Sequence, residues 1–172
     1  MMMNDGMCRA GARAFALLRA RGEHVSFAES LTGGLIAATL VENSGASAVL
    51  DESYVTYAPE SKMRILGVAR ETVETVGVVS ARCAREMAAG VRRISGADWG
   101  VSATGLAGPE GGTAETPVGT VFIGVAGPEG ARALEFHFGG ERPQVRAQAV
   151  QAAFEALCEA MEAANRQSTS QN

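Results

Sequence analysis

One lysine stands among fourteen arginines in this 172-residue chain, and its position suggests a chemical task. Arginine stays protonated in proteins, whereas a buried lysine can lose its proton and act as a base or a nucleophile. Lys62 follows a serine-bearing turn at residues 30–34 and comes five residues after Tyr57. A serine hydroxyl is a weak nucleophile without a base, and histidine is scarce here, so we predict a Ser30–Lys62 pair. The same residues also fit a plainer interpretation, with Lys62 a solvated charge and Tyr57 a core residue.

The turn around Ser30 has the composition of an anion site. It lies between a predicted strand at residues 25–28 and a predicted apolar helix at residues 35–41. The first N–H groups of a helix have no intrahelical partner and can hold an oxyanion or a phosphate. Gly33 and Gly34 would let a ligand approach the backbone closely. An ordinary helix cap by the side chain of Ser30 or Thr32 remains the alternative interpretation.

A second glycine-rich segment follows the predicted strand at residues 99–104. It contains Gly105, Gly108, Gly111 and Gly112. Clustered backbone donors of this kind suit a phosphate. The spacing matches neither a Walker loop nor a dinucleotide fingerprint, so a mobile turn fits the segment equally well.

Length and composition predict one domain over residues 1–164, followed by a polar, frayed tail at 165–172. A net charge of −4 and no basic cluster longer than two arginines argue against nucleic acid. No signal peptide and no apolar run long enough for a bilayer are evident. Three widely spaced cysteines without a Cys-x-x-Cys motif indicate reduced thiols and a cytoplasmic location. With two histidines, we expect no metal site and no cofactor.

Hydrophobic periodicity predicts an α/β domain. Helical spacing runs from Met7 to Leu18 and from Val150 to Met161, a short helix begins at Pro59, and Ser80 is a predicted N-cap. Predicted strands cover residues 25–28, 53–57, 99–104, 118–125 and 132–138, the last two joined by a hairpin turn at 127–130. Because hairpin strands are antiparallel, the sheet must be mixed.

Together these segments resemble the C-terminal domain of CinA (competence/damage-inducible) proteins, which also occurs alone as nicotinamide-nucleotide amidase. The matching motifs run in family order across about residues 14–157. They are Ala28-Glu29-Ser30-x-Thr32-Gly33-Gly34, Val55-Thr56-Tyr57-x4-Lys62, Leu66-Gly67-Val68, Gly77-x-Val79-Ser80, Thr104-Gly105-x-Ala107-Gly108-Pro109-x-Gly111-Gly112, Pro117-Val118-Gly119-Thr120 and Gly140-x-Arg142-x3-Arg146.

The resemblance implies a three-layer α/β/α sandwich with a mixed sheet. It implies hydrolysis of the carboxamide of nicotinamide mononucleotide to nicotinate mononucleotide and ammonia, a step of pyridine-nucleotide salvage. By the same resemblance, Ser30 is the nucleophile, Lys62 its base, and Tyr57 and Thr32 supporting residues. The expected partners are the small nucleotide substrate and a second copy of the chain in a homodimer or higher homo-oligomer. The pyrophosphatase-like N-terminal domain of larger family proteins is not expected here.

Two departures from the family pattern bear on function. Leu31 replaces the usual cysteine, which a Ser–Lys mechanism does not need. Thr116 replaces the usual lysine before Pro117, which removes a cation near the glycine-rich loop. Arg142 and Arg146 are candidates to compensate, because arginine suits phosphate contacts. Whether the 5′-phosphate binds at these arginines or at the loop stays open, and Glu141 for aspartate and Ser53 for glycine are milder changes.

Two further functions remain as alternatives. Thr116 motivates an amidase acting on a different phosphorylated or nucleotide-linked amide. A non-catalytic nucleotide-binding module is the other, although the intact Ser30, Tyr57 and Lys62 argue against it. A Ser–Lys peptidase is more remote, since no extended-substrate groove can be inferred from the sequence.

Overall fold

A mixed five-stranded sheet forms the centre of the molecule. The computed structural model describes residues 4–169, with side chains described through residue 166. The strands are β1 (Val25–Glu29), β2 (Leu50–Val55), β3 (Trp99–Gly105), β4 (Thr120–Gly127) and β5 (Gly130–His137). Their order is β2-β1-β3-β4-β5, with β2, β1 and β3 parallel and the last two pairings antiparallel. The predicted mixed sheet is confirmed.

Helices cover both faces of this sheet. They are α1 (Asp5–Arg21), α2 (Leu35–Val41), α3 (Pro59–Leu66), α4 (Ala81–Ser95) and α5 (Arg142–Thr169), with short turns of 3₁₀ helix at Ala46–Ala48 and π helix at Thr72–Val76. On one face, α5 packs against β3 and β4 with α1 and α2 beside it. On the other, α4 packs across the strands and contacts α3. The predicted three-layer α/β/α architecture is therefore confirmed.

Most predicted element ends have the expected local chemistry. The Ser80 side chain accepts a hydrogen bond from the Cys83 N–H at the start of α4. Pro59 occupies the first turn of α3, where its missing N–H leaves no bond unmade. The hairpin predicted at 127–130 joins β4 to β5, with Gly127 opposite Gly130.

Several predicted boundaries differ from the structure, and the strands predicted at residues 118–125 and 132–138 cover Thr120–Gly127 and Gly130–His137. The second strand was predicted at residues 53–57 but covers Leu50–Val55, because the chain leaves the sheet at Thr56. The tail predicted to fray from residue 165 is helical through Thr169 as part of α5. The remainder of that prediction, residues 170–172, lies outside the described residues.

The parallel strands bring the predicted site residues to one edge of the sheet. The carboxyl ends of β2, β1 and β3 meet there, because neighbouring parallel strands point in the same direction. Ser30 directly follows β1, Thr56 follows β2, and the glycine-rich loop begins at the last residue of β3. Sequence segments far apart in the chain thus converge on one place.

Candidate active site

Lys62 is buried and its amine reaches the hydroxyl of Ser30. The residue lies in α3 and is 1% exposed. Its Nζ atom is 3.0 Å from Ser30 Oγ, 2.5 Å from the backbone oxygen of Thr56 and 3.5 Å from that of Tyr57. Ser30 itself is partly exposed, so a substrate can reach its hydroxyl. The sequence-predicted pair is therefore a contact in the folded chain.

The surroundings of Nζ suit a neutral amine that acts as a base. A neutral lysine amine has two N–H donors and one lone pair. The carbonyl oxygens of Thr56 and Tyr57 can accept both donors, and the lone pair is then left for the hydroxyl proton of Ser30. The described residues place no carboxylate in a salt bridge with Lys62.

Burial also favours the uncharged form of this lysine. Desolvation lowers the pKa of Lys62 below its ordinary value, since a charged amine loses its hydration when buried. Burial in turn raises the pKa of Cys83 to about 11, so this thiol stays neutral at physiological pH. Lys62 thus lies near an uncharged thiol and loses its proton more readily than a solvated lysine does.

Glu29, the last residue of β1, holds the start of α2 in place. Its carboxylate is fully buried and accepts from the N–H groups of Gly34, Ile36 and Ala37 at 2.9, 3.1 and 3.0 Å. Ser53 donates its hydroxyl proton to the same carboxylate at 3.3 Å. The side chain therefore replaces an N-cap, which the alternative interpretation had assigned to Ser30 or Thr32. Gly34 occupies the cap position with φ of 92°, a left-handed conformation open to glycine.

Within the part of the chain that the structure describes, two N–H groups of the turn have no protein acceptor. The amide of Ser30 donates to Ala103, that of Gly33 to Ser30, and that of Gly34 to Glu29. Among the hydrogen bonds of the described residues, none uses the N–H of Leu31 or Thr32. The buried hydroxyl of Thr32 also lacks a partner. The N–H groups of Gly33 and Gly34, which the sequence suggested as ligand donors, are thus already bonded, and within the described residues the amides of Leu31 and Thr32 are the ones open to a ligand.

Tyr57 is connected to the arginine at the start of α5. The Arg142 guanidinium donates to the Tyr57 hydroxyl at 3.1 Å and to the backbone oxygen of Gly108 at 2.9 Å. Tyr57 is 60% exposed, so its ring is open to a ligand. Its hydroxyl makes no described hydrogen bond to Ser30 or Lys62. The side chain therefore belongs to the rim of the site rather than to the buried pair.

Arg146 is hydrogen-bonded to the turn that follows Ser30. Its guanidinium donates to the backbone oxygens of Leu31 and Thr32 at 2.9 and 2.7 Å. The side chain is half-buried, whereas that of Arg142 is exposed. The two arginines that the sequence offered as equivalent phosphate ligands thus have different surroundings.

The glycine-rich loop forms one side of a cavity whose other side is the start of α5. The cavity has a volume of about 510 Å³ and is lined by residues of the loop (Ala107, Pro109 and Val118) and of the α5 start (Gly140, Glu141, Arg142 and Pro143). Two glycines of the loop, Gly105 and Gly108, are required by close packing, because a side chain at either position would clash. A Cβ on Gly105 would lie 2.5 Å from the Thr120 oxygen, and one on Gly108 would lie 2.4 Å from Val118.

The loop still offers unpaired backbone donors. The N–H groups of Gly108, Gly111 and Gly112 donate in none of the hydrogen bonds of the described residues. Thr116, which stands where a lysine was expected, exchanges hydrogen bonds with Thr113 within the loop. No described hydrogen bond joins residues 109–117 to Ser30 or Lys62. The loop therefore lies beside the cavity, without hydrogen bonds to the reactive pair.

Comparisons with known proteins place the whole arrangement in one family. The family model of the CinA C-terminal domain matches residues 9–161. The chain belongs to this family. It is 47% identical over 135 residues to nicotinamide-nucleotide amidohydrolase PncC of Enterobacter agglomerans, which covers 78% of this chain and 82% of the relative. The solved structure of competence/damage inducible protein CihA from Agrobacterium tumefaciens superposes with a TM-score of 0.89 at 38% identity, covering 94% of this chain and 99% of that one.

Other relatives are longer proteins. A CinA-like protein of Anaeromyxobacter sp. (strain K) is 52% identical over 142 residues, which is 83% of this chain but 34% of that protein. This chain thus spans about a third of the length of the CinA-like relatives it matches. Within the described residues, no helix is long and apolar enough to cross a membrane, and no group of His, Cys, Asp and Glu side chains could hold a metal ion. The homodimer and the cytoplasmic location stay predictions.

Sequence reasoning missed two parts of the site. Glu29 has no role assigned from the sequence, although an acidic residue that ends a strand just before a helix start is a usable signal for a carboxylate that binds the first N–H groups of the helix. The acceptor role of the Thr56 and Tyr57 backbone oxygens had no signal, because every residue carries a carbonyl group.

Proposed function

We propose that this chain is an amidohydrolase that converts nicotinamide mononucleotide to nicotinate mononucleotide and ammonia through a Ser–Lys acyl-enzyme mechanism. The observation that carries the proposal is the 3.0 Å contact between the Ser30 hydroxyl and a buried Lys62 amine. Membership of the CinA C-terminal domain family and the 47% identity to a protein named nicotinamide-nucleotide amidohydrolase support the substrate. The step belongs to pyridine-nucleotide salvage.

In the acylation step, Lys62 removes the hydroxyl proton as Ser30 Oγ bonds to the carboxamide carbon. The carbonyl oxygen becomes an oxyanion, held by backbone N–H groups of the turn. Each such donor often contributes about 3 kcal/mol to the transition state. Protonated Lys62 then gives its proton to the amide nitrogen while the C–N bond breaks and ammonia leaves.

Deacylation reverses the proton movements with water as the nucleophile. Lys62 takes a proton from water as the water oxygen bonds to the acyl carbon. The ester bond to Ser30 then breaks, and Lys62 returns the proton to Oγ. The net reaction consumes one amide and one water and gives one carboxylate and one ammonium ion, the departing ammonia having taken up the proton of the carboxylic acid, so the pair is restored.

The cavity lined by Arg142 suits the rest of the nucleotide. Arg142 also bonds the hydroxyl of Tyr57, whose exposed ring can lie against the cationic pyridine ring of the substrate. Arg142 and the unpaired N–H groups of the glycine-rich loop line or adjoin this cavity, and we assign the 5′-phosphate to them. Arg146 already donates to two carbonyl groups, which argues against a phosphate role for that residue.

A substrate panel with lysine variants tests this proposal. Ammonia release is measured for nicotinamide mononucleotide, its dephosphorylated riboside and free nicotinamide, with wild type, Lys62→Arg and a control Arg64→Lys in the same helix. We expect the mononucleotide to be preferred and Lys62→Arg to lose about 10²–10⁴-fold in kcat, because general-base catalysis contributes that much. Near-native turnover by Lys62→Arg would rule out the base role.

One observation favours a second candidate substrate. Residues 109–117 contain Glu110 and Glu115 but no cation, since Thr116 replaces the expected lysine. A folded enzyme that hydrolyses another phosphorylated amide in preference to the mononucleotide would support that alternative.

A further inference from the structure

Arg146 occupies a position from which it can control the shape of the catalytic turn. It reaches from α5 to the backbone oxygens of two consecutive residues, Leu31 and Thr32, directly after the nucleophile. Both bonds have a charged donor, and such bonds are about twice as strong as neutral ones. The guanidinium fork therefore fixes two peptide planes at once.

Fixing a carbonyl group also fixes the N–H group of the same peptide. In a trans peptide the C=O of one residue and the N–H of the next lie in one plane and point in opposite directions. With the Leu31 oxygen directed at Arg146, the Thr32 N–H points away from it. With the Thr32 oxygen held likewise, the Gly33 N–H points to the Ser30 oxygen, to which it donates at 3.1 Å.

The opposite end of the turn is held by a second charged group. Glu29 accepts from Gly34 and the first residues of α2, so the turn is fixed from both sides. The amides of Leu31 and Thr32 belong to the same turn and have no acceptor within the described residues. Unpaired N–H groups on buried residues are rare, and in an enzyme they are typical of a site that awaits an anion.

We propose that Arg146 is a positioning residue that holds the Leu31 oxygen and thereby orients the Thr32 amide as an oxyanion donor, and that it does not bind the substrate phosphate. This inference rests on the proposed function. The positive charge on the carbonyl side of each peptide also polarises the N–H on the other side, which strengthens it as a donor. Arg146 thus acts through the backbone rather than by touching the substrate.

The test separates the two roles by comparing a phosphorylated with a dephosphorylated substrate. Steady-state kinetics are measured on nicotinamide mononucleotide and on its riboside for wild type, Arg146→Gln, Arg146→Lys and the exposed control Arg85→Gln. A positioning role predicts a kcat loss of about 10–100-fold in Arg146→Gln, equal for both substrates, with KM within about threefold of wild type. This loss is smaller than the 10²–10³-fold that follows removal of a whole oxyanion donor.

Two further readouts keep the inference testable if Arg146→Gln folds poorly. Added guanidinium ion at millimolar concentration is expected to restore part of the kcat of an Arg146→Ala variant. The Ser30-dependent acylation by p-nitrophenyl acetate, followed by release of nitrophenolate, is expected to slow by a similar factor. This ester has no phosphate, so only an effect on the turn can change its rate.

The outcomes distinguish this inference from the function on which it rests. A KM rise of tenfold or more with unchanged kcat, seen with the mononucleotide and absent with the riboside, would make Arg146 a phosphate ligand and overturn the inference. Slower ester acylation in a protein that does not hydrolyse the mononucleotide would support the role of Arg146 while the proposed substrate fails. An unchanged rate of ester acylation in a folded Arg146→Gln variant would overturn the inference, even if hydrolysis of the mononucleotide is established.

Discussion

The buried carboxylate of Glu29 gives a prediction whose size follows from its contacts. The variant Glu29→Gln keeps the shape of the side chain but replaces one acceptor oxygen by an NH₂ group. In wild type, Oε2 accepts from Gly34 and Ile36 while Oε1 accepts from Ala37 and Ser53. If the glutamine oxygen takes the Oε2 place, its NH₂ group faces the Ala37 N–H, and two donors meet with no acceptor between them.

The free-energy change can be built from these bonds. An orphaned buried N–H costs about 1–3 kcal/mol, and two bonds that change from a charged to a neutral acceptor lose about 1 kcal/mol each. A neutral amide is easier to bury than a carboxylate, which recovers part of this loss. We therefore expect Glu29→Gln to lower the free energy of unfolding by about 2–4 kcal/mol. For a domain of this length that corresponds to a Tm lowered by about 5–15 °C.

Calorimetry or circular dichroism during heating measures this shift. Glu159→Gln is the matched control, because Glu159 is exposed on α5 and the same change there is expected to stay within about 0.5 kcal/mol. Glu29→Ala should be less stable than Glu29→Gln, since it leaves every one of these donors unpaired. A Glu29→Gln protein that melts within 2 °C of wild type would refute the claim that this carboxylate holds the start of α2.

Three further predictions concern the layer that contains Lys62. Lys62→Met should be inactive, yet urea unfolding at pH 7 should show it to be more stable than wild type. Because burial lowers the pKa of Lys62, unfolded wild type binds more protons than folded wild type, and the stability gain of the variant should shrink as the pH rises towards 10.5, the ordinary pKa of lysine. A gain that does not change with pH would contradict the lowered pKa. Gly90→Ala should lower the Tm although alanine favours helices, since a Cβ there would lie 2.1 Å from the Leu66 oxygen; an unchanged Tm would refute this close packing. Burial raises the pKa of the Cys83 thiol to about 11, so Cys83 should resist iodoacetamide at pH 8 in the native protein while the partly exposed Cys8 reacts. Mass spectrometry of the alkylated protein measures both reactions, and rapid labelling of native Cys83 would contradict the prediction.

The fold could be predicted from the sequence because the residue types themselves determine its helices, strands and turns. Apolar periodicity, the Ser80 cap, Pro59 at a helix start and the glycine-bearing hairpin each act over a few residues, and all of them are confirmed. The end of β2 was misplaced, because the chain leaves the sheet at Thr56 to direct its carbonyl group at Lys62. The sequence gives no signal for this contact, because every residue has a backbone carbonyl group.

The residue types of the candidate site could be predicted from the sequence, but the partner that each side chain contacts could not. A lone lysine near a serine-bearing turn indicates a base and a nucleophile, and the two side chains are in contact. Arg142 and Arg146 are identical in type and four residues apart, so the sequence could not tell that one contacts Tyr57 and the other the turn. Residues four apart lie on the same face of a helix, so the difference arises from their places along α5, where one turn separates the Arg142 partners Gly108 and Tyr57 from the Arg146 partners Leu31 and Thr32.

The most direct test of the account is ammonia release from nicotinamide mononucleotide in the presence of EDTA. Purified wild type is compared with Ser30→Ala and with Ser47→Ala, a control serine that is exposed outside the site. The account predicts release by wild type and Ser47→Ala and its loss in Ser30→Ala. Release that persists in folded Ser30→Ala, or no release from folded wild type, would contradict the account.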